Sequence, residues 1–276
     1  METLIHPSAR IAHGAEIGEG VRIGPFCTVG SKVTIGDGAE LISHVVIDGL
    51  TRIGAGARLF PFCTVGMAPQ DLKYKGEPTE TEIGARTVLR EHVTVHRGTV
   101  TGTALTHVGD DCLLMAVTHV AHDCHVGNGV VIANNSVMGG HVTIGDNAVI
   151  GGAAAVHQFV QIGRAAMIGG MAGVEADVIP FGTVIGNRAR LAGLNIIGLR
   201  RRGYDHAQVH RVRAAFRALF VGAGVFGERL EAVRAEFGAD PLVGEMIGFI
   251  DARRARKPPH MRGLVRAAVE EEDDAG

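Results

Sequence analysis

VIANNSVMGGHVTIGDNAVIGGAAAVHQFVQIGRAAMIGG, residues 131–170, decides the fold. In it Ile132, Met138, Ile144, Ile150, Val156, Ile162 and Ile168 return every sixth residue. Ser136, Val142, Ala148, Ala154, Val160 and Ala166 precede the last six of them by two positions. Side chains two apart on a strand point to the same side, so each hexad carries one large and one small inward residue. A strand this short must turn before the next hexad begins.

The same clock runs outward in both directions. From Val108 to Val174 all twelve hexad positions are large and apolar, and from Ile11 to Val65 all ten are. After an interruption it resumes in the same register at Ile83, Leu89 and Val95, and the step from Val65 to Ile83 equals three hexads, so the interruption need not break the coil. A second insertion, before Val108, shifts the phase by one. Glycine follows many of the aliphatics, as at Gly24, Gly54 and Gly145, where the spacing predicts tight turns. Strands at hexad spacing stack into a parallel β-helix, and 18-residue coils from Ile11 to about Ile185 would number roughly ten. Periodicity leaves the hand of the coil open.

Composition agrees with many turns and a core without large rings: 40 of 276 residues are glycine, aromatics are 4%, and tryptophan is absent. A formal charge of −2 gives no long-range pull toward nucleic acid or anionic membranes. The start, METLIHPSAR, lacks an apolar signal core, and no stretch approaches the roughly 18 apolar residues of a membrane span. The expectation is a cytoplasmic protein.

The clock stops after Ile185, which divides the chain into a β-helix over 1–189 and a helical region over 190–276. Asp205 with Gln208 forms a capping box, and Asp240-Pro241 reads as an N-cap followed by an N1 proline. Helices are expected over 205–221, 226–236 and 241–256, where they can close the open end of the coil, with a disordered acidic tail EEEDDAG behind them.

Cys27, Cys63, Cys112 and Cys124 all fall on the small inward position, which assigns them to packing. Ser136 is inward by the same phase. With no serine or cysteine nucleophile in view, direct transfer is expected rather than a covalent enzyme intermediate.

Histidine carries the functional signal. His96, His107, His119, His122, His125, His141 and His157 crowd the middle of the repeat, all off the inward positions, which places them on the outer face or at corners. Taken singly each reads as a solvated surface histidine. Stacking changes the weight, since residues 18 apart share a column with about 4.8 Å between coils. His122 then has Gly140 and Gln158 above it, and Asp123 has His141 and Phe159. Such a patch suits acyl transfer to a hydroxyl: His122 as general base, Asp123 orienting its ring, and Gly140 offering a backbone N–H to a tetrahedral oxyanion. His119, His122 and His125 are three apart along a strand, which does not aim three imidazoles at one point. Neither a metal nor a cofactor is expected.

The segments QDLKY (Gln70–Tyr74), VHRGT (Val95–Thr99), HVAHDC (His119–Cys124), GGH (Gly139–His141), VHQF (Val156–Phe159) and LRRRG (Leu199–Gly203) occur in this order. The pattern resembles the hexapeptide-repeat acyltransferases, and within them the family of UDP-N-acetylglucosamine O-acyltransferases that opens lipid A synthesis. The resemblance covers nearly the whole chain. It implies a left-handed β-helix with three hexads per coil, acyl carrier protein as the donor's carrier, UDP-N-acetylglucosamine as acceptor, and a homotrimer with sites between subunits. It matches His122, Asp123 and Gly140 to the catalytic base, its partner and the oxyanion donor. Asp71, Lys73, His96, His119, His141, His157 and Gln158 match positions that hold the amino sugar or its phosphates. Asn195, Arg201 and Arg202 match nucleotide-binding positions, against which stands the plainer reading of Arg200–Arg202 as a solvated helix start. The chain departs from the family at Ile197, where relatives carry an acidic residue. Gly170 matches the position that limits donor length, and its missing side chain implies a long donor of about 12 to 14 carbons. Two alternatives stand beside this one: an N-acyltransferase acting on a 2-amino or 3-amino sugar nucleotide, and a non-catalytic β-helix scaffold.

Overall fold

Each hexad forms one short strand and one corner. The computed structural model describes residues 2–256 and 262–267. Leu4–Ile5 lies on the first face, Arg10–Ile11 on the second and Glu16–Ile17 on the third, and Arg22–Ile23 returns to pair in parallel with Leu4–Ile5. Dealt out this way, the strands build three sheets of eleven, nine and eight members among the described residues. In uninterrupted coils each residue pairs with the one three hexads later, as His119 with Val137 and Val137 with Ala155. The result is a left-handed parallel β-helix. Its interior is the aliphatic column and the small residues beside it, from Val21 and Ile23 through Leu114 and Met138 to Val174, all buried.

The corners explain why the repeat has six residues. Three positions after the aliphatic the backbone turns through the left-handed region even where the residue is not glycine: φ is 58° at Phe26, 59° at Asp123, 62° at His141 and 66° at Phe159. This conformation costs an L-residue about 1–2 kcal/mol. The corner of the preceding coil offsets it, since the N–H of His141 donates to the His122 carbonyl (3.0 Å) and that of Phe159 to the Gly140 carbonyl (3.1 Å). The glycines that follow the aliphatics serve another purpose than the expected turn conformation. A Cβ on Gly24 would overlap the Ile42 carbonyl oxygen, and one on Gly54 the Ala85 nitrogen, so these positions need space for the next coil.

Both insertions leave the coil and rejoin it. Val65 pairs with Val95, five hexads on instead of three. The interruption, three hexads long, is therefore one hexad step plus a loop two hexads long, which carries Asp71 and Lys73. Val95 pairs with Val120, where an unbroken coil would bring Leu113. The second insertion thus adds one hexad and one further residue, which is the source of the phase shift.

The end of the coil differs from expectation in one respect. Arg190–Leu194, placed in the helical region by its sequence, is a strand that turns back antiparallel on Gly182–Ile185. Helix α1 (Ile196–Arg201) follows, capped by the Asn195 side chain, and lies outside the expected helices. Helices α2 (His206–Phe220), α3 (Phe226–Phe237) and α4 (Pro241–Ala255) lie close to their expected bounds. The Asp205–Gln208 capping box forms with both bonds, and Asp240 caps α4 ahead of Pro241. Apolar residues Val212, Phe216, Leu230, Val243 and Ile250 join the helices into the core that seals the coil. Beyond α4, Leu264 and Ala267 make single parallel bridges to Asp177 and Leu191. The tail EEEDDAG lies outside the described residues. No helix among the described residues is long and apolar enough to cross a membrane.

Candidate active site

The corner between the second and third faces brings His122, Asp123, Gly140 and His141 together. Asp123 occupies the left-handed corner position, which turns its side chain back toward the residue before it. His122 Nδ1 lies 2.8 Å from Asp123 Oδ2. Both residues are buried, whereas the sequence placed His122 on an outer face. What covers them is the second insertion. The Thr99 hydroxyl donates to Asp123 Oδ2 (2.6 Å), and the backbone N–H groups of Thr99 and Thr103 donate to Oδ1 (3.0 and 2.9 Å). Gly102 permits this closure, because a Cβ there would overlap the Asp123 carboxylate. Burial alone pushes the Asp123 carboxyl up, but hydrogen bonds from His122 and Thr99 outweigh it and hold the group at about 2. Asp123 is therefore an anion that can only accept.

Gly140 lies against the face of this pair. A Cβ there would fall 2.6 Å from His122 Cε1 and 2.7 Å from Nε2. Among the described residues its N–H donates to no acceptor. The corner between the third and first faces shows the contrast. There the equivalent N–H groups are capped by the side chain one coil on: Ala85 by Asp110 Oδ1, Asp110 by Asn128 Oδ1, and Asn128 by Asp146 Oδ1, all at 2.7–2.8 Å.

The other histidines extend the patch. His141 meets the His122 ring edge-on (centroids 5.0 Å) and stacks on Phe159 (4.5 Å, interplanar 5°). His119 Nδ1 is 2.7 Å from the Thr94 hydroxyl, and its ring edge abuts His96 at 4.8 Å. Burial, then the charges of His119 and His122, push the His96 imidazole down to about 4, and burial with the His122 charge lowers His119 as well. His96 stays neutral at physiological pH, buried where the sequence expected it outside. His157 and Gln158 are exposed on the same corner one coil on.

The rest of the expected set lies elsewhere in one chain. Asp71 and Lys73 sit in the first inserted loop, where the Lys73 N–H donates to Asp71 Oδ1 (2.9 Å). Asn195 caps α1 through the Gly198 N–H and donates to the Ala165 carbonyl. Arg202 holds the Gly198 and Asn147 carbonyls (2.9 and 2.7 Å), which commits much of a guanidinium expected to meet phosphate. Arg201 and Ile197 are exposed. Ala165 and Asn147 belong to the corner between the third and first faces, away from His122. Gly170 lies at the remaining corner, exposed, where a Cβ would meet only Gly152 backbone, its carbonyl oxygen at 3.4 Å. The four cysteines are buried, and burial pushes the Cys63 and Cys124 thiols up to about 12, consistent with packing.

Sequence reasoning missed Thr99 and Thr103. Thr99 closes the VHRGT segment, which gave it no role of its own, and Thr103 lies in an insertion whose residues obey no repeat. The ligand atoms of His122, Asp123 and His141 lie within 4.8 Å of one another, close enough for a cation. Both Asp123 oxygens already accept N–H or O–H donors, which a cation would have to displace.

A family model described as UDP N-acetylglucosamine O-acyltransferase, domain 2, matches residues 177–265, and the bacterial transferase hexapeptide repeat matches 2–31 and 105–140. The chain is 47% identical over 263 residues to an acyl-[acyl-carrier-protein]–UDP-N-acetylglucosamine O-acyltransferase of Azorhizobium caulinodans, covering 95% of this chain and 97% of that one. A Brucella ovis protein of the same name is 44% identical, with 99% of each chain covered. A solved UDP-N-acetylglucosamine acyltransferase from Bacteroides fragilis superposes with a TM-score of 0.90 at 37% identity, covering 95% of this chain and all of that one.

Proposed function

The chain belongs to the acyl-[acyl-carrier-protein]–UDP-N-acetylglucosamine O-acyltransferase family, and from that membership we propose a mechanism in which His122 removes the proton from the sugar's 3-hydroxyl as it attacks the acyl donor. The enzyme is an acyltransferase of lipid A biosynthesis, and the amino-sugar and scaffold alternatives are not favoured. The contact between His122 Nδ1 and an ionised Asp123 carries the reading. A carboxylate that can only accept requires the proton on Nδ1, which leaves the Nε2 lone pair as the base. As the hydroxyl attacks the acyl carbon, its proton moves to Nε2, and the imidazolium that forms is paired with Asp123. The carbonyl oxygen becomes an oxyanion, for which the uncommitted Gly140 N–H is the donor. Collapse breaks the C–S bond and expels the donor's thiolate, which takes the proton from Nε2 and leaves as the thiol. No covalent enzyme intermediate enters.

His96, His119, His141, His157, Gln158, Asp71 and Lys73 are assigned to the sugar and its phosphates, and Asn195, Arg201 and Arg202 to the nucleotide. In one chain the nucleotide set and His122 occupy different corners, which supports placing the complete site between subunits of a homotrimer. We divide the chain at 189/190 into the catalytic coil and a region that holds the returning strand and the helices, assign the enzyme to the cytoplasm, and give it no metal and no cofactor. The test is an acyl-transfer assay with UDP-N-acetylglucosamine and acyl carrier protein donors, on the parent and on His122→Ala, with sedimentation for the trimer. Full activity in the alanine variant would sink the mechanism, and a monomer at assay concentration would sink the shared site.

A further inference from the structure

The last described segment, Arg262–Ala267, returns from the helical region to the catalytic corner. Its backbone is fixed at two points: the Asp177 N–H donates to the Gly263 carbonyl (2.7 Å) while the Val265 N–H donates to the Asp177 carbonyl (2.9 Å), and the Leu191 N–H donates to the Arg266 carbonyl (2.8 Å). The Asp177 side chain is fully buried and anchors the approach, accepting from Arg256 and from the Gln161 N–H. Arg253 donates to the Arg262 carbonyl (2.8 Å). So held, Arg262 donates from Nε to the Gln158 carbonyl (2.9 Å) and sets its guanidinium 5.9 Å from the centre of the Phe159 ring. Phe159 lies parallel on His141, and His141 meets His122 edge-on.

We propose that Arg262 is a positioning residue: through Phe159 it fixes the plane of His141, and with it the binding of the acceptor sugar. The proposal rests on the assignment of His141 to the sugar. The physical reason is rotational freedom. Phe159 is half-buried at a corner whose backbone is already in the left-handed region, and on its outer side Arg262 supplies a cation over the ring while holding the adjacent Gln158 carbonyl. A ring held from outside gives His141 one plane to stack on. Without Arg262 that outer restraint on the stack is lost, and the loss falls on binding, with proton transfer at His122 Nε2 intact.

The measurement is steady-state kinetics of the full-length enzyme against UDP-N-acetylglucosamine for Arg262→Ala, Arg262→Lys, Arg266→Ala and His122→Ala, with a melting temperature for each. Arg262→Ala is expected to raise KM about 3- to 30-fold with kcat within about twofold, the signature of lost uniform binding. Arg262→Lys keeps a cation over the ring and should recover most of that loss. Arg266→Ala, exposed on the same segment, should match the parent and shows that the segment itself is undisturbed. A parental KM in Arg262→Ala, an effect confined to melting temperature, or Arg262→Lys as impaired as alanine would each overturn the inference. Activity surviving in His122→Ala overturns the mechanism instead, so the two failures are distinguishable.

Discussion

His122 and Asp123 are consecutive in the chain, yet their side chains face each other at 2.8 Å. Neighbours on a strand point to opposite sides. The left-handed backbone at Asp123 (φ 59°) breaks that alternation and folds the carboxylate back under the imidazole. The base and its orienting group are thus a product of the same corner that turns the coil.

His122→Ala should cost about 100- to 10,000-fold in turnover with folding intact, because the base is lost while no aliphatic packing is. Asp123→Asn should cost less, since Nε2 remains and only orientation and charge pairing suffer. Comparing kcat for the two variants checks the order, and a larger loss in Asp123→Asn would reverse the roles.

Asp123 also links stability to pH. Its folded carboxyl sits at about 2, below the ordinary 3.8, so its contribution is fully present above pH 4 and disappears as pH falls toward 2. The size is on the order of 2 kcal/mol. Melting curves of parent and Asp123→Asn should differ most near pH 7 and converge on acidification. A difference that does not depend on pH would show that the carboxylate is not held as an anion.

Gly140→Ala places a methyl group within 2.6 Å of the His122 ring, which must rotate away from Asp123 or shift outward. Turnover should fall by at least about 100-fold, the scale of lost general-base help, with little change in melting temperature. Near-parental kcat would show that the base tolerates displacement.

Gly170 is exposed, and a Cβ there meets only backbone at ordinary contact distance, so Gly170→Met should fold normally. Its side chain would occupy space equivalent to several methylenes, each worth about 0.8 kcal/mol, and the preferred donor should become shorter. An unchanged chain-length profile in a folded variant would place the limit elsewhere.

Much of this was legible because a solenoid converts sequence spacing into distance. Counting by six located the buried column from Val21 to Val174, and counting three hexads at a time set Gly140 beside His122. What escaped lies where counting fails. The loop after Val65 is a whole number of hexads long and preserves the phase of the clock, so counting could not show that it leaves the coil. Thr99 and Thr103 belong to an insertion with no period, and their bonds to Asp123 depend on how that loop closes. His96 and His122 read as outward because the repeat knows only the coil interior, whereas their burial comes from neighbouring imidazoles and the loop above.

The two ends of the solenoid are unequal. Helices α1 to α4 and a returning strand cover one, while Leu4 and Ile5 stand 52% and 45% exposed at the other. Each coil is stabilised by its neighbours, so thermal fraying should enter from the amino terminus and advance one coil at a time. The catalytic corner stands several coils inside that front, behind Leu59, Leu89 and Leu114. Amide protons near Leu4–Ile23 should therefore exchange well before those near Val120–Met138, at temperatures where turnover is unimpaired. Uniform exchange along the coil would contradict this. The open end acts as a thermal fuse: heat disorders the expendable coils first, and the chemistry outlasts them.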